Sequence, residues 1–267
     1  MKKQLILLIL VWPCLLQAQQ TIKDLFSAER EFAAYSRAHG TRAAFLKFAD
    51  TSGLLFERGK PVNAIQVWTL RPDQDGTLDW APTYGGLAAS ANFGFTSGPW
   101  TFSRHDTIIS KGYFITIWHR NGRGQWKFLV DLGVSTTVSC DEAMAIDRGK
   151  KPTTPRGELA DLKKQEDDLV QALSEKGVSA YGAFQSSECR YFRNGGCPVI
   201  TLEPATRYLD PLPPSATMVA QGSGIAPSGD LGYVYGKLQS GEKTDAYLHI
   251  WRREKGAWKL ALEVLRY

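Results

Sequence analysis

The amino-acid sequence contains an internal repeat, and this repeat limits the possible folds more than any other feature. Residues 31–62 align with residues 168–199 without a gap, at an offset of 137. Beyond these segments the offset drifts to 138, 133 and 132 at three further aligned pairs: Gly94 with Gly232, Trp118 with Trp251, and Trp126 with Trp258. Changes in loop length between matching strands produce such a drift, and self-similarity of this kind indicates a repeated structural unit. The chain is therefore predicted to contain two copies of one module.

Each copy begins with helical periodicity and then changes to strand-like sequence. Apolar residues recur on one helical face from Leu25 to Tyr35 in the first copy and from Leu162 to Leu173 in the second. Strands are predicted where β-branched and aromatic residues cluster between glycine turns, at Ile65–Leu70, Phe93–Phe102, Tyr113–Arg120, Gln125–Leu132, Leu231–Leu238, Ala246–Arg253 and Ala257–Leu265.

This order of elements predicts an α+β fold. We expect two tandem cone-shaped modules, in each of which N-terminal helices pack on a strongly curved antiparallel sheet. The predicted boundaries are a signal peptide at 1–18, a first module at 19–140, a linker at 141–157 and a second, more degenerate module at 158–267. The linker assignment rests on a stretch rich in Gly, Pro and Lys without a hydrophobic period.

The first eighteen residues have the layout of a secretory signal peptide. Lys2-Lys3 forms a basic start, Leu5–Leu16 an apolar stretch, and Leu16-Gln17-Ala18 a small-residue cleavage site. A membrane anchor is the weaker alternative, because the stretch is shorter than the ~20 residues that span a bilayer and Pro13 interrupts it. Cys14 raises a lipoprotein alternative, but Pro13 stands where a lipoprotein signal needs a small residue. We expect an exported protein, periplasmic or secreted, with no membrane span after signal removal.

The charge pattern does not indicate a nucleic-acid-binding protein. The chain has 32 basic and 27 acidic residues, a net charge of +5, and loss of Lys2 and Lys3 would leave +3. Basic doublets such as Arg252-Arg253 stand beside acids such as Glu254. Because nucleic-acid binding needs a clustered basic surface, no nucleic-acid partner is predicted.

Three cysteines follow the predicted signal peptide. Cys189 and Cys197 flank two short extended runs around an Asn194-Gly195 turn, so a disulfide between them is sterically plausible in an oxidising compartment, and Cys140 is left over. No C-x-x-C or H-x-x-x-H pattern accompanies them, so no metal site is predicted. The sequence also lacks a phosphate loop and a dinucleotide-binding glycine motif, and no cofactor is predicted.

Several segments together resemble the nuclear transport factor 2-like superfamily, also called ketosteroid-isomerase-like or SnoaL-like. They are Ala28–Ser36, Trp80–Tyr84, Gly94–Trp100, Tyr113–Trp118 and Trp126–Gly133. The sequence is most similar to the branch of small exported bacterial proteins of undefined function. The resemblance implies a cone with a mostly apolar pocket and modules that pair through their sheets. A tandem chain would form that pair internally, as a monomeric pseudo-dimer.

Tryptophan is distributed unevenly between the two copies. The first copy contains five tryptophans and the second only Trp251 and Trp258, while the register places Met218 and Leu238 opposite Trp80 and Trp100. Aromatic side chains with a few polar groups are typical of a small-molecule site. We therefore predict that an apolar or aromatic small molecule binds in a first-copy pocket lined by Tyr35, Trp68, Trp80, Tyr84, Trp100 and Trp118. The alternative is that these rings simply fill the core.

An acid late in the last strand of each copy is the weak candidate for catalysis. Asp131 lies among Leu129, Val130 and Leu132, and its counterpart is Glu263. The resemblance to ketosteroid isomerases implies a general base or a neutral acid at such a position, since burial raises a carboxyl pKa. Three functions stay open: a non-catalytic binding module; a cofactor-independent isomerase, dehydratase or hydrolase using Asp131; and an envelope protein-interaction accessory. A structural ion pair is the alternative role for Asp131, and His119 is a possible partner.

Overall fold

The computed structural model describes residues 22–140, 156–200 and 216–266, together with Leu209 and Leu212. The predicted signal peptide at 1–18 and nearly all of the predicted linker at 141–157 lie outside the described residues. Within these ranges, no helix has both the length and the apolar character needed to cross a bilayer.

The first half of the chain forms helices followed by a seven-stranded sheet. The elements are α1 (Ile22–His39), α2 (Thr41–Phe48), β1 (Ala49–Glu57), β2 (Lys60–Asn63), α3 (Ala64–Leu70), β3 (Thr77–Trp80), β4 (Tyr84–Leu87), β5 (Phe93–Arg104), β6 (Thr107–Arg120) and β7 (Trp126–Ser135). The strand order is β2-β1-β7-β6-β5-β3, and β4 also pairs with β5.

The second half repeats this plan. Its elements are α4 (Leu159–Lys176), a 3-10 turn (Gly177–Ala180), α5 (Tyr181–Phe184), β8 (Gln185–Arg193), β9 (Val199–Ile200), β10 (Thr217–Ile225), β11 (Leu231–Ser240), β12 (Lys243–Glu254) and β13 (Ala257–Leu265). The strand order β9-β8-β13-β12-β11-β10 matches that of the first sheet, strand for strand. The predicted α+β class with two similar modules is confirmed.

The pairing of strands reproduces the sequence repeat residue by residue. Trp80 pairs with Trp100 in the first sheet, and the aligned Met218 pairs with Leu238 in the second. Both sheets also carry a β-bulge at the same place, where Leu129 on β7 is the extra residue opposite Ile117-Trp118 and Ala261 on β13 is the extra residue opposite Ile250-Trp251. Since a bulge bends a strand and increases its twist, the two sheets curve in the same way.

Two details of the expected fold are wrong. Residues 64–70 form helix α3 rather than a strand, because the Asn63 side chain accepts a hydrogen bond from the Gln66 backbone N–H and so caps a helix. The sheets are also mixed rather than purely antiparallel. In each, the first strand pairs in parallel with the last, β1 with β7 and β8 with β13.

The two sheets face each other across one buried apolar cluster that contains residues of both modules. The larger members include Phe56, Tyr84, Phe93, Phe95, Tyr113, Ile115, Ile117 and Leu132 from the first module, and Phe192, Leu231, Tyr233, Leu248, Ile250 and Leu262 from the second. Phe93 stacks on Tyr233 with ring centroids 6.1 Å apart, and the Ala89 N–H donates to Asp230 at 2.8 Å. The modules therefore form an internal pseudo-dimer through their sheets.

The predicted Cys189–Cys197 disulfide is wrong. Cys197 is bonded to Cys140, with Cα atoms 5.6 Å apart, and Cys189 is a free thiol. Cys189 lies on β8 with its side chain fully buried in the core of the second module, where it packs with Leu162 and Leu169. The actual disulfide joins the end of the first module to the loop after β8. Nearby, the Gly195 N–H donates to the Ser135 carbonyl at 2.8 Å.

We expect Cys140→Ser to lower the free energy of unfolding by about 2–4 kcal/mol, because the bond closes a long loop between the modules. Urea unfolding followed by tryptophan fluorescence measures the change. Wild-type protein in excess dithiothreitol is the control and should match the variant. Equal stability of oxidised wild type and variant would show that the crosslink contributes nothing.

Candidate functional site

The first module contains a cavity of about 400 Å³ between its helices and its sheet. The lining side chains are mostly aromatic on the inside and polar at the edge: Phe32, Phe45, Leu78, Trp80, Trp100, Phe114, Asp131, Gly133, Ser135, Asn194, Asp245 and Arg266. Ser135 and Asn194 are exposed and mark its mouth. Asn194, Asp245 and Arg266 belong to the second module, so both modules build the site.

The aromatic walls are held rigidly by contacts among the rings. Phe32 on α1 meets Phe45 on α2 edge to face, with centroids 4.9 Å apart, and meets Trp80 in the same way at 4.8 Å. Such edge-to-face pairs add about 0.5–1.5 kcal/mol each beyond the area they bury. The walls are therefore part of the core of the module as well as the lining of the cavity.

A fully buried carboxylate, Glu29 on α1, lies behind the wall. It accepts hydrogen bonds from the indole N–H of Trp80 at 2.6 Å, from the indole N–H of Trp118 at 2.9 Å and from the Thr96 hydroxyl at 2.5 Å. Burial raises the pKa of Glu29, and these hydrogen bonds oppose the rise. Every donor is neutral, so no positive charge compensates the carboxylate within this group.

Asp131 on β7 brings a second carboxyl group into contact with the cavity. The Thr116 hydroxyl on β6 donates to its Oδ2 at 2.9 Å. Burial raises the pKa of Asp131 to about 7, the neighbouring Glu29 carboxyl also raises it, and the Thr116 hydrogen bond opposes them. At neutral pH this group is divided between a carboxylate that accepts hydrogen bonds and a carboxylic acid that donates one.

The equivalent positions of the second module hold an ion-pair network instead. His249, the counterpart of Thr116, lies 3.0 Å from Glu166 and 3.2 Å from Glu263. Glu263, the counterpart of Asp131, also bonds Arg193 at 3.2 Å and accepts from the Tyr181 hydroxyl. Burial lowers the pKa of His249, but the two carboxylates outweigh it and raise the pKa to about 10. The second module therefore neutralises its buried carboxylates with its own cations.

Differences in side-chain size distinguish the two cones. Tyr181 in the second module aligns with Ala44 in the first, and His249 aligns with Thr116. Both first-module residues are buried and much smaller. The first module consequently retains open space beside Asp131. In the second module, the Tyr181 phenol and the His249 imidazole lie around the equivalent Glu263.

The structure brings only part of the predicted pocket together. Trp80 and Trp100 line the cavity together with Asp131. Trp118 is fully buried and donates to Glu29 instead. It supports the cavity wall from behind.

The other three predicted pocket residues lie elsewhere. Trp68 stacks on Phe45 in the core beside α2, and Tyr35 lies at the module surface under the Lys47 ammonium. Tyr84 belongs to the shared cluster between the sheets, where the Arg190 guanidinium lies 3.6 Å from its ring centroid. These rings are structural.

Sequence reasoning missed the phenylalanines of the wall, the polar residues of the mouth and Glu29. The aligned acids Glu29 and Glu166 were a usable signal, because each stands within the apolar face of a helix. His119, expected as a possible partner of Asp131, pairs with Asp50 at 2.8 Å instead. In the described part of the chain, no group of three or more His, Cys, Asp or Glu side chains could hold a metal ion.

Comparison with known proteins finds similar folds at low sequence identity. No protein-family model matches the chain, and no curated protein matches it significantly. An NTF-2-like protein of unknown function from Shewanella oneidensis MR-1 is 16% identical over 42% of this chain and 97% of its own, with a TM-score of 0.35. An NTF2-like protein involved in plasmid conjugation is 12% identical over 91% of this chain and 95% of its own, with a TM-score of 0.28.

Asp131→Asn is expected to stabilise the protein at alkaline pH. The pKa of Asp131 is about 7 in the folded state against 3.8 as its ordinary value, so the folded state retains a proton that the unfolded state has lost. Stability from this group therefore falls as pH rises from about 4 to 7. At pH 8 the melting temperature of the variant should lie several degrees above that of wild type. Each kcal/mol of unfolding free energy that is regained raises it by about 2–4 °C.

Differential scanning calorimetry at pH 4 and pH 8 measures this difference. The advantage of the variant should be much smaller at pH 4, where Asp131 is protonated in the folded state and about half protonated in the unfolded state. Asp106→Asn, on the exposed turn between β5 and β6, removes the same charge and is the control. An advantage of equal size at both pH values would mean that burial does not perturb Asp131.

Proposed function

We propose that this protein binds a small, largely apolar or aromatic molecule in the cavity of its first module. The observation that carries the proposal is the placement of one titratable carboxyl group, Asp131, in a cavity walled by aromatic rings. Ligand sites are typically apolar concavities with a few polar groups that fix orientation. The aromatic rings would supply the contact area, and Asp131 would orient one polar group of the ligand.

The division of work between the modules supports this proposal. The second module satisfies its buried acids internally and contributes polar residues to the cavity mouth. Its sheet also covers the sheet of the first module. The interface thereby stabilises the first module although its own cone is not filled. Because the modules already pair within one chain, we propose that the protein is a monomer in solution.

A tryptophan fluorescence screen tests the binding function. Mature protein is titrated with a panel of aromatic and alicyclic metabolites, and at least one class should change the emission, because Trp80 and Trp100 line the cavity. Trp100→Ala should weaken that ligand about tenfold or more, since it removes aromatic contact worth on the order of 1 kcal/mol in addition to its buried area.

Trp126→Phe is the matched control for this screen. Trp126 lies at the start of β7 under the Arg120 guanidinium and does not line the cavity, so the affinity should not change. The binding proposal fails if no ligand class alters the emission. It fails equally if Trp100→Ala and Trp126→Phe bind the ligand alike.

A cofactor-independent isomerase, dehydratase or hydrolase is the second candidate function, and the protonation of Asp131 favours it. A group with a pKa of about 7 both takes up and releases protons at neutral pH, which is what general acid–base catalysis requires. Asp131 lines the cavity, so a substrate bound there would lie within reach of its carboxyl group. A protein-interaction accessory with a filled pocket receives less support from this cavity.

Proton exchange next to a carbonyl group tests catalysis by Asp131. Cyclic ketones are incubated with the protein in heavy water, and loss of the exchangeable protons is followed by NMR. The rate should rise with pH through about 7, and Asp131→Asn should lower it about 100-fold or more. Exchange at the same rate in the variant would exclude Asp131 as the base.

We also propose that the protein is exported to the periplasm or beyond the cell. The signal-like layout of residues 1–18 supports this location. The Cys140–Cys197 disulfide supports it independently, because such bonds persist mainly in oxidising compartments.

A further inference from the structure

The two modules place a pair of carboxyl groups at equivalent positions and surround them differently. In the second module, Glu166 and Glu263 lie on either side of His249, and Arg193 bonds Glu263 as well. Two buried acids thus meet two cations. The second module therefore shows how this fold neutralises a pair of buried carboxyl groups.

Among the described residues, the first module keeps the two acids and no cation pairs with them. Thr116 replaces the imidazole, and the neutral Trp80 indole takes the place of the histidine as a donor to Glu29. Among the described residues, Thr116 is the side chain that hydrogen-bonds Asp131, through Oδ2. The second oxygen, Oδ1, has no hydrogen-bond partner in that part of the chain, and the residue contacts the cavity. The cavity of the first module therefore lies against Asp131, the carboxyl group without a cationic partner in the described part of the chain.

The other charged groups described at the cavity do not favour an anionic ligand. The described lining residues include two acids, Asp131 and Asp245, and one cation, Arg266. Asp245 already pairs with Arg266, whose Nε lies 3.2 Å from its Oδ1. A ligand carboxylate would meet Asp131 with no unpaired cation beside it. A ligand cation would instead meet the Asp131 carboxyl group, which has no cationic partner among the described residues.

The aromatic walls suit a positive charge as well. Cations are attracted to the faces of Trp, Tyr and Phe rings within about 6 Å, and aromatic walls with a nearby acid recognise organic ammonium groups. Trp80, Trp100 and Phe114 line the same cavity as Asp131. The walls would also take up the apolar body of such a ligand.

We infer that the ligand of this cavity is an organic cation, a protonated amine or quaternary ammonium on an apolar or aromatic body, with its charge against Asp131. This inference rests on the proposed binding function and names its ligand class. The ligand supplies the positive charge that His249 and Arg193 supply in the second module.

Three probes that share one aromatic body test the charge preference: naphthylethylamine, naphthylethanol and naphthylacetate. Their affinities for the full mature protein are measured at pH 8 by isothermal titration calorimetry. The amine should bind about tenfold or more tightly than the alcohol, as expected for a hydrogen bond to a charged group, and the acid most weakly. Asp131→Asn should bring the amine to the affinity of the alcohol. Asp106→Asn should leave the preference unchanged.

The pH dependence gives a second readout. Among the described residues, the polar and charged groups around Asp131 and its cavity are Glu29 on α1, Thr116 on β6, Ser135, Asn194 and the Asp245–Arg266 pair. Because an amine pairs with the ionised carboxylate, its affinity should fall as pH drops below about 7. The affinity of the alcohol should stay constant, since it carries no charge.

The outcomes separate the inference from the function on which it rests. Equal binding of amine and alcohol, tighter binding of the acid, or an amine preference that survives Asp131→Asn overturns the cation assignment while the binding function stands. If none of the three probes binds and the metabolite screen is also negative, both the ligand class and the binding function are wrong.

Discussion

The hydrogen bond between a helix glutamate and a strand tryptophan organises each module. Glu29 accepts from Trp118 and Glu166 accepts from Trp251, in both cases at 2.9 Å and with all four side chains buried. A buried carboxylate without such donors would cost several kcal/mol. The bond therefore fixes how the first helix lies over the curved sheet in both modules alike. The side chains inside each cone, Ala44 and Thr116 against Tyr181 and His249, then determine whether it is open or filled.

The shared cluster between the sheets gives the first module support from outside its own cone. Small domains usually depend on a densely filled interior. Here the opposite face of each sheet is also buried, against the partner sheet. Part of the stabilisation comes from that interface, which permits open space beside Asp131. The Cys140–Cys197 bond and the contacts at Ser135 and Gly195 hold the modules together at the cavity mouth.

The repeat was sufficient to predict two modules of one α+β fold, because the aligned residues are helix, strand and turn positions that any copy of the fold needs. The alignment of Trp80 with Met218 and of Trp100 with Leu238 matches the observed strand pairing. The disulfide could not be predicted in this way, since strand alternation directs Cys189 into the core and the loop geometry brings Cys197 to Cys140. Of the cavity lining, the sequence predicted Trp80 and Trp100 as pocket residues and Asp131 as a weak catalytic candidate. The mouth residues Asn194, Asp245 and Arg266 come from the second module, and local sequence carries no signal for such contacts.

The covalent fusion of the two copies has a consequence for how the site can change. In a homodimer, every substitution alters the cones of both subunits at once. A mutation that opens one cone therefore also removes the side chains that fill and stabilise the other. In the fused chain, Thr116 and His249 are separate positions, as are Ala44 and Tyr181. One copy can therefore acquire new specificity while the other retains rigidity. Recognition and stability are thus assigned to different copies of the module within one chain.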